Sequence, residues 1–451
     1  MIKQDVFIFG ILPNEIDFLK NCETLWRIMT KFAKLQNTSS SCRGCKSLTL
    51  VETLDLGILA SAGRFVGKSQ SVNEERLCLT TCSQCGLTQL SSKISVSELY
   101  VPGYGYESSL NESMAAHLQS KARGLEDKYL RGNAGIIVDI ASNDGTLLSG
   151  YFNPNSKLIG IDPLISVFND KYPANATKIE SFFTAESYFD RGGEPADLVT
   201  SCSVLYDSDS PKDFVRDIAK ILAPGAIWHS EQSYLPTMVS NLSYDTICHE
   251  HLLYLRLIDI KNWCAENRLN LISVEFNDIN GGSFAFTAQK CYPNEGLAKL
   301  PDQISKILKK EKETGFDQTA VALREFKTTV ANHIKTFRME IEKMKGDGIE
   351  IYGLGASTKG NILLQTIGLT SQDIVAIGDV NPKKHGLFTP KTKIPIISEE
   401  SVVSSASEKA VFIVLPWHFK RSIVHSLKQK YPNRRFHLLF PLPNIEYITV
   451  I

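Results

Sequence analysis

The stretch IIVDIASNDGTLL, residues 136–148, decides the fold because it runs from an apolar strand through a tight turn into a helix. In a doubly wound α/β sheet, such turns hold nucleotide cofactors at the carboxyl ends of the strands. Asp139 ends the strand, and Gly145 is expected to let a ligand approach the backbone closely. The stretch predicts a cofactor site, with an ordinary Asn-Asp-Gly turn as the alternative.

The next strand, LIGIDP at residues 158–163, carries an acidic residue at its end. Asp162 lies 17 residues after Gly145, where a carboxylate can accept hydrogen bonds from both hydroxyls of a ribose. The turn has no second or third glycine that would admit a pyrophosphate. The pattern therefore favours S-adenosylmethionine over NAD.

Strands and helices alternate around this stretch. Strands are predicted at Gly135–Ile140, Lys157–Ile161, Asp197–Ser201 and Ala226–Ser230, with helices such as Pro211–Leu222 between them. Such alternation predicts a parallel sheet covered by helices on both faces. The segments Asn267–Phe276 and Gly282–Lys290 are predicted to end it as an antiparallel pair.

A second α/β pattern follows a Lys/Glu-rich segment at residues 296–346, which is predicted to be a helical connector broken near Thr314–Phe316. A strand at Ile349–Tyr352 then leads into GLGASTKG, residues 353–360, and a helix. This turn could hold NAD or the phosphate of a sugar nucleotide. A structural strand–helix turn is the alternative.

Four of the ten cysteines form two CxxC pairs, Cys42 with Cys45 and Cys82 with Cys85, with 36 residues between the pairs. Four thiolates complete the tetrahedral coordination of Zn²⁺, and each pair offers two ligands from one tight turn. We predict a structural zinc site, because four sulfur ligands leave no open position for chemistry. Reduced structural cysteines or a redox pair are the alternatives.

Composition excludes several classes of protein. The 451 residues suggest about three domains, and 49 Lys and Arg balance 49 Asp and Glu. This neutrality argues against a general nucleic-acid binder, which would carry a basic excess. No run reaches the roughly 18 apolar residues that a membrane span needs, and the N-terminus has no signal-peptide cleavage pattern. We expect a cytoplasmic protein without nucleic-acid or membrane partners.

The string YDTICHEHLLY, residues 244–254, concentrates ionisable groups. Its two histidines, His249 and His251, are two residues apart and would not share a helical face, which disfavours a metal site. A histidine beside a glutamate can act as a general base whose tautomer is held by the carboxylate. A polar loop with satisfied histidines is the alternative.

The order of these motifs resembles that of the S-adenosylmethionine-dependent sugar C-methyltransferases, which act on nucleotide-linked 4-keto deoxysugars. The resemblance covers residues 42 to about 445. Its motifs are the two CxxC pairs, LDLG (54–57), CGLTQL (85–90), GYGYESS (103–109), DIASNDGTLL (139–148), YDTICHEHLLY (244–254), NGGSF (280–284), GASTKGNILL (355–364), IPI (394–396) and LPWHF (415–419).

The resemblance implies an α/β protein with a zinc-binding N-terminal module, a Rossmann-like class I methyltransferase domain and a second Rossmann-like C-terminal domain. The expected boundaries are 1–41 for an N-terminal extension, 42–95 for the zinc-binding module, 96–295 for the methyltransferase domain, 296–346 for the connector and 347–451 for the C-terminal domain. The sugar nucleotide is expected in the cleft between the last two domains. The sequence leaves the oligomeric state, monomer or dimer, open.

The resemblance also implies a reaction, methyl transfer from S-adenosylmethionine to a sugar carbon, C-3. A ketone at C-4 acidifies the C-3 proton, and donors must stabilise the enolate that forms when a base removes it. Family analogy places the base at His251, with Glu250 orienting it, and makes Tyr104 and Tyr106 candidates for contacting the sugar or the enolate oxygen.

The expected site residues fall into four sets. The catalytic set is His251, Glu250, Tyr104, Tyr106 and His249, and the cofactor set is Asp139, Ser142, Asn143, Asp144, Gly145 and Asp162. The substrate set is Asp207, Cys248, Tyr254, Ser283, Lys359 and Trp417, and the metal set is Cys42, Cys45, Cys82 and Cys85. Within the substrate set, Lys359 or the N-terminus of its helix is expected to meet a diphosphate.

Three positions depart from the family pattern. Cys248 stands where the family has tyrosine, Asp207 where histidine is frequent, and Ala285 where arginine is common. One alternative is therefore a catalytically altered or inactive relative that binds a sugar nucleotide. The other is a nicotinamide-dependent sugar oxidoreductase that uses the turn at residues 353–360.

Overall fold

The computed structural model describes residues 41–92 and 106–450. The N-terminal extension before residue 41 and Tyr104 lie outside the described residues. Among the described residues, no helix combines the length and the apolar character needed to cross a membrane.

The strands are numbered along the chain. They are β1 (Leu50–Ala60), β2 (Glu74–Cys82), β3 (Thr88–Leu90), β4 (Ile136–Ile140), β5 (Lys157–Ile161), β6 (Thr177–Ile179), β7 (Ala196–Cys202), β8 (Leu222–Ser233), β9 (Leu253–Tyr254), β10 (Leu269–Asn277), β11 (Ser283–Lys290), β12 (Ile351–Leu354), β13 (Ile377–Asp379), β14 (Ile396–Ser398), β15 (Val411–Val414), β16 (Phe436–Phe440) and β17 (Glu446–Val450).

The α-helices are numbered in the same way. They are α1 (Glu112–Leu125), α2 (Ile165–Phe168), α3 (Ala185–Phe189), α4 (Pro211–Ile221), α5 (Leu235–Ser240), α6 (Leu257–Glu266), α7 (Asp302–Glu313), α8 (Thr319–Gly346), α9 (Thr358–Ile367), α10 (Glu399–Ser405) and α11 (Lys420–Lys430). Short 3₁₀ turns connect several of them, including the turn Tyr244–Thr246.

The central sheet has seven strands in the order β10-β11-β8-β7-β4-β5-β6. Strands β4, β5, β6, β7 and β8 are parallel, and β11 lies antiparallel between β8 and β10. Ile137 and Val138 of β4 are both fully buried, as expected for a parallel strand covered on both faces. The chain crosses from β4 to β5 on one side and later to β7 on the other, so the carboxyl end of β4 is a topological switch point.

The C-terminal sheet has six strands in the order β14-β13-β12-β15-β16-β17, of which only β17 is antiparallel to its neighbour. The connector before it consists of α7 and α8, separated at Gly315, which adopts φ +84°. The predicted α/β class with two Rossmann-like sheets is therefore confirmed.

The cysteine-bearing sheet, β1-β2-β3-β9, does not stop at the expected boundary after residue 95. Strand β9 follows the HEH string and pairs with β3, with Thr88 opposite Tyr254. On the other side, the Ala60 amide donates to Gln365 Oε1 of α9 at 2.7 Å. The cysteine-bearing sheet is thus attached to both α/β domains.

Arg256 connects the central domain, the second cysteine turn and the connector, and only 2% of its surface is exposed. It pairs with Asp259 at 2.6 Å and donates to the Cys85 carbonyl at 2.7 Å and to the Phe316 carbonyl at 2.8 Å. A Cβ on Gly86 would lie 2.4 Å from the guanidinium, and Gly86 has φ +75°. Only glycine therefore lets Arg256 reach the cysteine turn.

We expect Arg256→Met to lower the free energy of unfolding by about 3–5 kcal/mol, because it leaves the Asp259 carboxylate buried without its partner. The matched control is Arg216→Met, since Arg216 makes a surface pair with Asp213, worth about 0.5 kcal/mol. Urea denaturation of the two variants measures the difference. Equal losses would contradict the junction assigned to Arg256.

Candidate active site

A cavity of about 420 Å³ lies at the carboxyl ends of β4, β5 and β7, where the turn at residues 141–145 predicts a cofactor. Much of its wall is apolar, contributed by Ile140, Leu147, Leu164, Phe183 and Phe214. Of the expected cofactor set, Asp139, Ser142, Asn143 and Asp162 line the cavity. The structure therefore brings together the end of β4, the turn after it and the end of β5.

Asp162 is held by the backbone around it. Its Oδ2 accepts from the Asn143 amide at 3.0 Å, and its Oδ1 accepts from the Leu164 amide at 2.8 Å. Burial raises the pKa of Asp162 to about 6. Since each carboxylate oxygen can accept more than one hydrogen bond, Asp162 can still receive the hydroxyls of a ribose.

Asp139 is a second buried acid in this pocket. It accepts a hydrogen bond from Thr200 Oγ1 at 2.7 Å, and burial raises its pKa to about 7. A cationic group placed nearby would favour its ionised form.

Gly145 does not line the cavity. Its φ is +76°, and a Cβ there would lie 3.0 Å from the ring of Tyr172. The Tyr172 hydroxyl donates to the Asn143 carbonyl at 2.7 Å. The close approach expected at Gly145 is therefore made by Tyr172, a residue of the chain itself, and not by a ligand.

Asp144 and Asn143 hold the segment 106–109 against the pocket. Asn143 Oδ1 accepts from the Ser108 amide at 3.0 Å, and Asp144 Oδ2 accepts from the Ser109 amide at 2.9 Å. Tyr106, at the start of this segment, lines the cavity with 44% of its surface exposed. Asp144 thus supports the rim of the pocket, and Tyr106 lies at its mouth.

Glu231 is a pocket residue that the sequence analysis missed. It follows the predicted strand Ala226–Ser230, lines the cavity, and contacts His117 at 2.8 Å and Lys121 at 2.7 Å. Burial opposes ionisation, but His117 and Lys121 outweigh it and lower the pKa of Glu231 to about 2. Its place at the carboxyl end of a parallel strand, with His117 and Lys121 four residues apart, was the available signal.

The chemistry of this lining fits S-adenosylmethionine. Asp162 offers acceptors for ribose hydroxyls, and the buried acids Asp139 and Glu231 suit a cationic amino-acid end. The apolar wall suits a purine ring. Among the described lining residues there is no Lys or Arg to meet a pyrophosphate.

His251 lies where the central domain meets the C-terminal domain, close enough to Lys359 for that charge to act on its ring. Its Nδ1 donates to the Thr246 carbonyl at 2.9 Å, which leaves Nε2 as an acceptor. The ring packs against Tyr206, with centroids 4.2 Å apart. Burial and the charge of Lys359 lower the pKa of His251 to about 4, so the imidazole is neutral at pH 7.

The orientation of His251 differs from the expectation. The oxygen that holds its tautomer is the Thr246 carbonyl and not Glu250, because the 3₁₀ turn Tyr244–Thr246 directs that carbonyl at the ring. His249 Nε2 lies 3.3 Å from the Glu75 carbonyl of β2. His249 therefore joins the segment to the zinc-binding module, and a catalytic role for it stays a prediction.

Glu250 belongs to a buried cluster with other residues of the catalytic and substrate sets. Its neighbours in this cluster are Asp207, Cys248 and Tyr254. Burial raises the pKa of the Cys248 thiol well above its ordinary value, so this residue is a neutral thiol. Asp207 also lines the cofactor cavity, which places the cluster beside the cofactor pocket.

Two residues of the substrate set bond the central domain from the C-terminal domain. Trp417 Nε1 donates to Asp245 Oδ2 at 2.7 Å, and the Lys359 ammonium donates to the Asn280 carbonyl. Asn280 lines the cofactor cavity, so Lys359 reaches the wall of that cavity. Ser283 instead donates to the Ile279 carbonyl at 2.9 Å and supports that turn.

The glycines of GLGASTKG serve packing within the chain. A Cβ on Gly355 would lie 2.7 Å from Pro416, and one on Gly360 would lie 2.8 Å from Leu415. Asp379, which ends β13, accepts from the amides of Ala356 and Asn381, each at 2.7 Å. These contacts favour a structural strand–helix turn over a dinucleotide site.

The four cysteines of the metal set come together. Their sulfurs all lie within 4.8 Å of one another, with 3.6 Å between Cys42 and Cys85 and between Cys45 and Cys82. Zn–S bonds of about 2.3 Å in a tetrahedron place sulfurs about 3.8 Å apart. The donor set and its spacing fit Zn²⁺.

Known C-methyltransferases are similar to this chain in sequence. Residues 278–443 match a sequence profile described as the C-methyltransferase C-terminal domain. The chain is 25% identical over 414 residues to the C-methyltransferase NovU of Streptomyces niveus, a match that covers 90% of this chain and 96% of that protein. The prediction of a C-methyltransferase enzyme is confirmed by these matches.

Solved methyltransferases are among the structures to which part of this chain is similar. Magnesium protoporphyrin IX methyltransferase from Synechocystis PCC 6803 with bound SAH is 13% identical, with a TM-score of 0.31 over 39% of this chain and 83% of that one. The CurJ carbon methyltransferase is 16% identical, with a TM-score of 0.31 over 40% of this chain and 56% of that one.

We expect the purified protein to contain about one zinc ion per chain, as the four-thiolate site requires. Cys82→Ser should remove most of the zinc and lower the unfolding temperature, because metal binding contributes to folding. Cys264→Ser, at an equally buried cysteine outside the cluster, should keep the zinc. Metal analysis by mass spectrometry tests this, and a metal-free folded protein would contradict it.

Affinity for S-adenosylhomocysteine should fall as the pH drops through about 6, where Asp162 takes up a proton and loses acceptor capacity. Asp162→Asn should weaken binding about 10–100-fold at pH 7.5, the cost of hydrogen bonds to a charged group. Asp170→Asn, at an exposed position nearby, should bind like the wild type. Titration calorimetry from pH 5 to 8 measures both effects, and unchanged affinity in Asp162→Asn would remove this role.

Proposed function

We propose that the protein transfers a methyl group from S-adenosylmethionine to C-3 of a nucleotide-linked 4-keto-deoxysugar, through an enolate. The observation that carries the proposal is the geometry of His251. Its Nδ1 is bonded to the Thr246 carbonyl, so Nε2 is free to accept a proton. Lys359, whose charge acts on this ring, bonds Asn280 at the wall of the cofactor pocket.

In this proposal His251 is the general base. Nε2 takes the C-3 proton, the C–H electron pair becomes the C-3–C-4 double bond, and the carbonyl π pair moves onto the C-4 oxygen. The ring is held by Thr246 on one edge and by Tyr206 on its face. Because the ring is already held in place, less conformational entropy is lost when the base meets the sugar.

The cofactor supplies an electrophilic methyl group when it is bound. Asp162 would hold its ribose, and the segment 106–109, fastened by Asn143 and Asp144, would cover the pocket. Glu107 of that segment pairs with Lys171 of the central domain and with Lys383 of the C-terminal domain, the latter at 3.2 Å. These contacts would keep water away from the reacting carbon.

The substrate class is supported by the motif order and by the match to the C-methyltransferase C-terminal domain, which includes α9 and Trp417. The N-terminus of α9, capped by Ser357 Oγ on the Gly360 amide at 3.0 Å, is suited to a diphosphate. The four-cysteine cluster is proposed as a structural zinc site, since four sulfur ligands leave no open coordination position for chemistry.

The other readings are less well supported. A nicotinamide-dependent oxidoreductase would use the turn at residues 353–360, but Gly355 and Gly360 of that turn pack against Pro416 and Leu415. An inactive relative would explain Asp207, Cys248 and Ala285, yet the buried acids of the cofactor pocket and the oriented His251 are retained. Methyl transfer accounts for more of these features.

The direct test is mass spectrometry of the protein incubated with S-adenosylmethionine and a panel of nucleoside-diphosphate 4-keto-6-deoxyhexoses. One panel member should gain the mass of a single CH₂ unit. Oxidation or reduction of a sugar with NAD, and no methylation, would reject the proposal.

His251→Gln should reduce methyl transfer by about 10²–10⁴-fold, the range expected for loss of a general base, while S-adenosylhomocysteine binds nearly as before. His425→Gln is the matched control, because His425 is exposed on α11, and it should keep the full rate. Turnover assays and calorimetry on both variants measure this. An active His251→Gln enzyme would exclude His251 as the base.

A further inference from the structure

Lys359 brings a positive charge from the C-terminal domain to the wall of the cofactor pocket. It is the second residue of α9, is only partly exposed, and donates a hydrogen bond to the Asn280 carbonyl. Asn280 adopts φ +56° and lines the cofactor cavity. The side chain of Lys359 therefore extends from the C-terminal domain to the wall of the cofactor pocket.

The segment that orients His251 packs against the same helix. The turn Tyr244–Thr246 contacts α9, and Thr246 supplies the carbonyl that bonds His251. Asp245, in the middle of the turn, is fully buried, and its Oδ1 has no hydrogen-bond partner among the described residues. Lys359 interacts electrostatically with both Asp245 and His251.

We propose that Lys359 is a catalytic residue whose ammonium donates a hydrogen bond to the C-4 oxygen of the sugar as that oxygen becomes an enolate. This inference rests on the proposed function. It replaces the expected contact between Lys359 and the diphosphate.

The order of the charges explains why Lys359 would favour formation of the enolate. Before reaction, the Lys359 cation disfavours a second positive charge on His251, so the base stays neutral. When the proton moves to Nε2, a negative enolate oxygen forms between the imidazolium and the ammonium. Opposite charges then alternate in a space with little water, where such interactions are strong.

The step is balanced without any further reagent. The C-3–H bond breaks, its proton goes to His251 Nε2, and its electrons form the C-3–C-4 double bond. The carbonyl π electrons move to the C-4 oxygen, which the Lys359 N–H then binds more strongly. Lys359 keeps its proton, because the hydrogen bond itself stabilises the negative charge.

The direction of the Lys359 side chain argues against a diphosphate partner. A diphosphate at the N-terminus of α9 would be met by backbone amides at the helix end. The Lys359 ammonium is instead bonded to Asn280 of the central domain. It thus points to the central domain, where its charge acts on His251.

Exchange of the C-3 proton measures enolate formation without methyl transfer. The wild type and its variants are incubated in D₂O with S-adenosylhomocysteine and the panel of nucleoside-diphosphate 4-keto-6-deoxyhexoses, and C-3 exchange is followed by NMR. Lys359→Met should slow exchange and kcat by about 10²–10³-fold, as loss of one oxyanion donor does, with KM changed less than threefold. Lys359→Arg should recover part of the rate, and Lys409→Met, at an exposed site, should match the wild type.

The outcomes separate the two proposals. Exchange in Lys359→Met within threefold of the wild-type rate would overturn the role of Lys359 and leave the proposed function standing. Unchanged kcat with weaker binding of a nucleoside diphosphate would overturn it too, in favour of a diphosphate contact. Absence of both exchange and methylation in the wild type would overturn the proposed function and this inference with it. Calorimetry with S-adenosylhomocysteine and a thermal melt establish that each variant is folded, and Lys359→Gln replaces any that is not.

Discussion

The buried hydrogen bond between Asp245 and Trp417 joins the two α/β domains at the point where the candidate site lies. The two atoms are 2.7 Å apart, and Asp245 is completely buried. Burial of a carboxylate is costly unless donors compensate it, so the position of Trp417 depends on that of the 244–246 turn. The Thr246 carbonyl that orients His251 and the helix that carries Lys359 are positioned by the same contact.

The connector helix α8 contacts both this turn and the C-terminal domain through His333. His333 accepts a hydrogen bond from the Tyr244 hydroxyl at 3.1 Å and donates to the Pro441 carbonyl at 2.7 Å. A neutral imidazole with its proton on Nε2 makes both bonds. Burial lowers the pKa of His333, in agreement with this neutral form. The site is therefore supported by residues from the central domain, the connector and the C-terminal domain.

The cysteine-bearing sheet supports the same segment from the other side. Strand β9 pairs with β3 directly after the HEH string, and Arg43, beside Cys42, bonds Asp209 at 3.1 Å on the rim of the cofactor pocket. A metal ion that holds the cysteine turns would thereby also stabilise the cofactor pocket. The proposed zinc site would then act through the fold and would need no open coordination position.

Local sequence was sufficient for the strand and turn at residues 136–145, the acid at Asp162 and the two CxxC pairs, because periodicity and short spacing determine each of them. The helix predicted after that turn is wrong, since only a 3₁₀ turn, Leu148–Gly150, lies among the described residues between β4 and β5. Local sequence also led to the prediction that His251 is the base. It could not show that Gly145 makes room for Tyr172, that Thr246 and not Glu250 holds the His251 ring, or that Lys359 bonds Asn280. Those relations join residues that are distant in the chain or that depend on the direction of a single carbonyl. Only the tertiary packing of the three sheets near the buried turn determines these contacts. Polar atoms that packing buries must form hydrogen bonds with the partners that it places beside them.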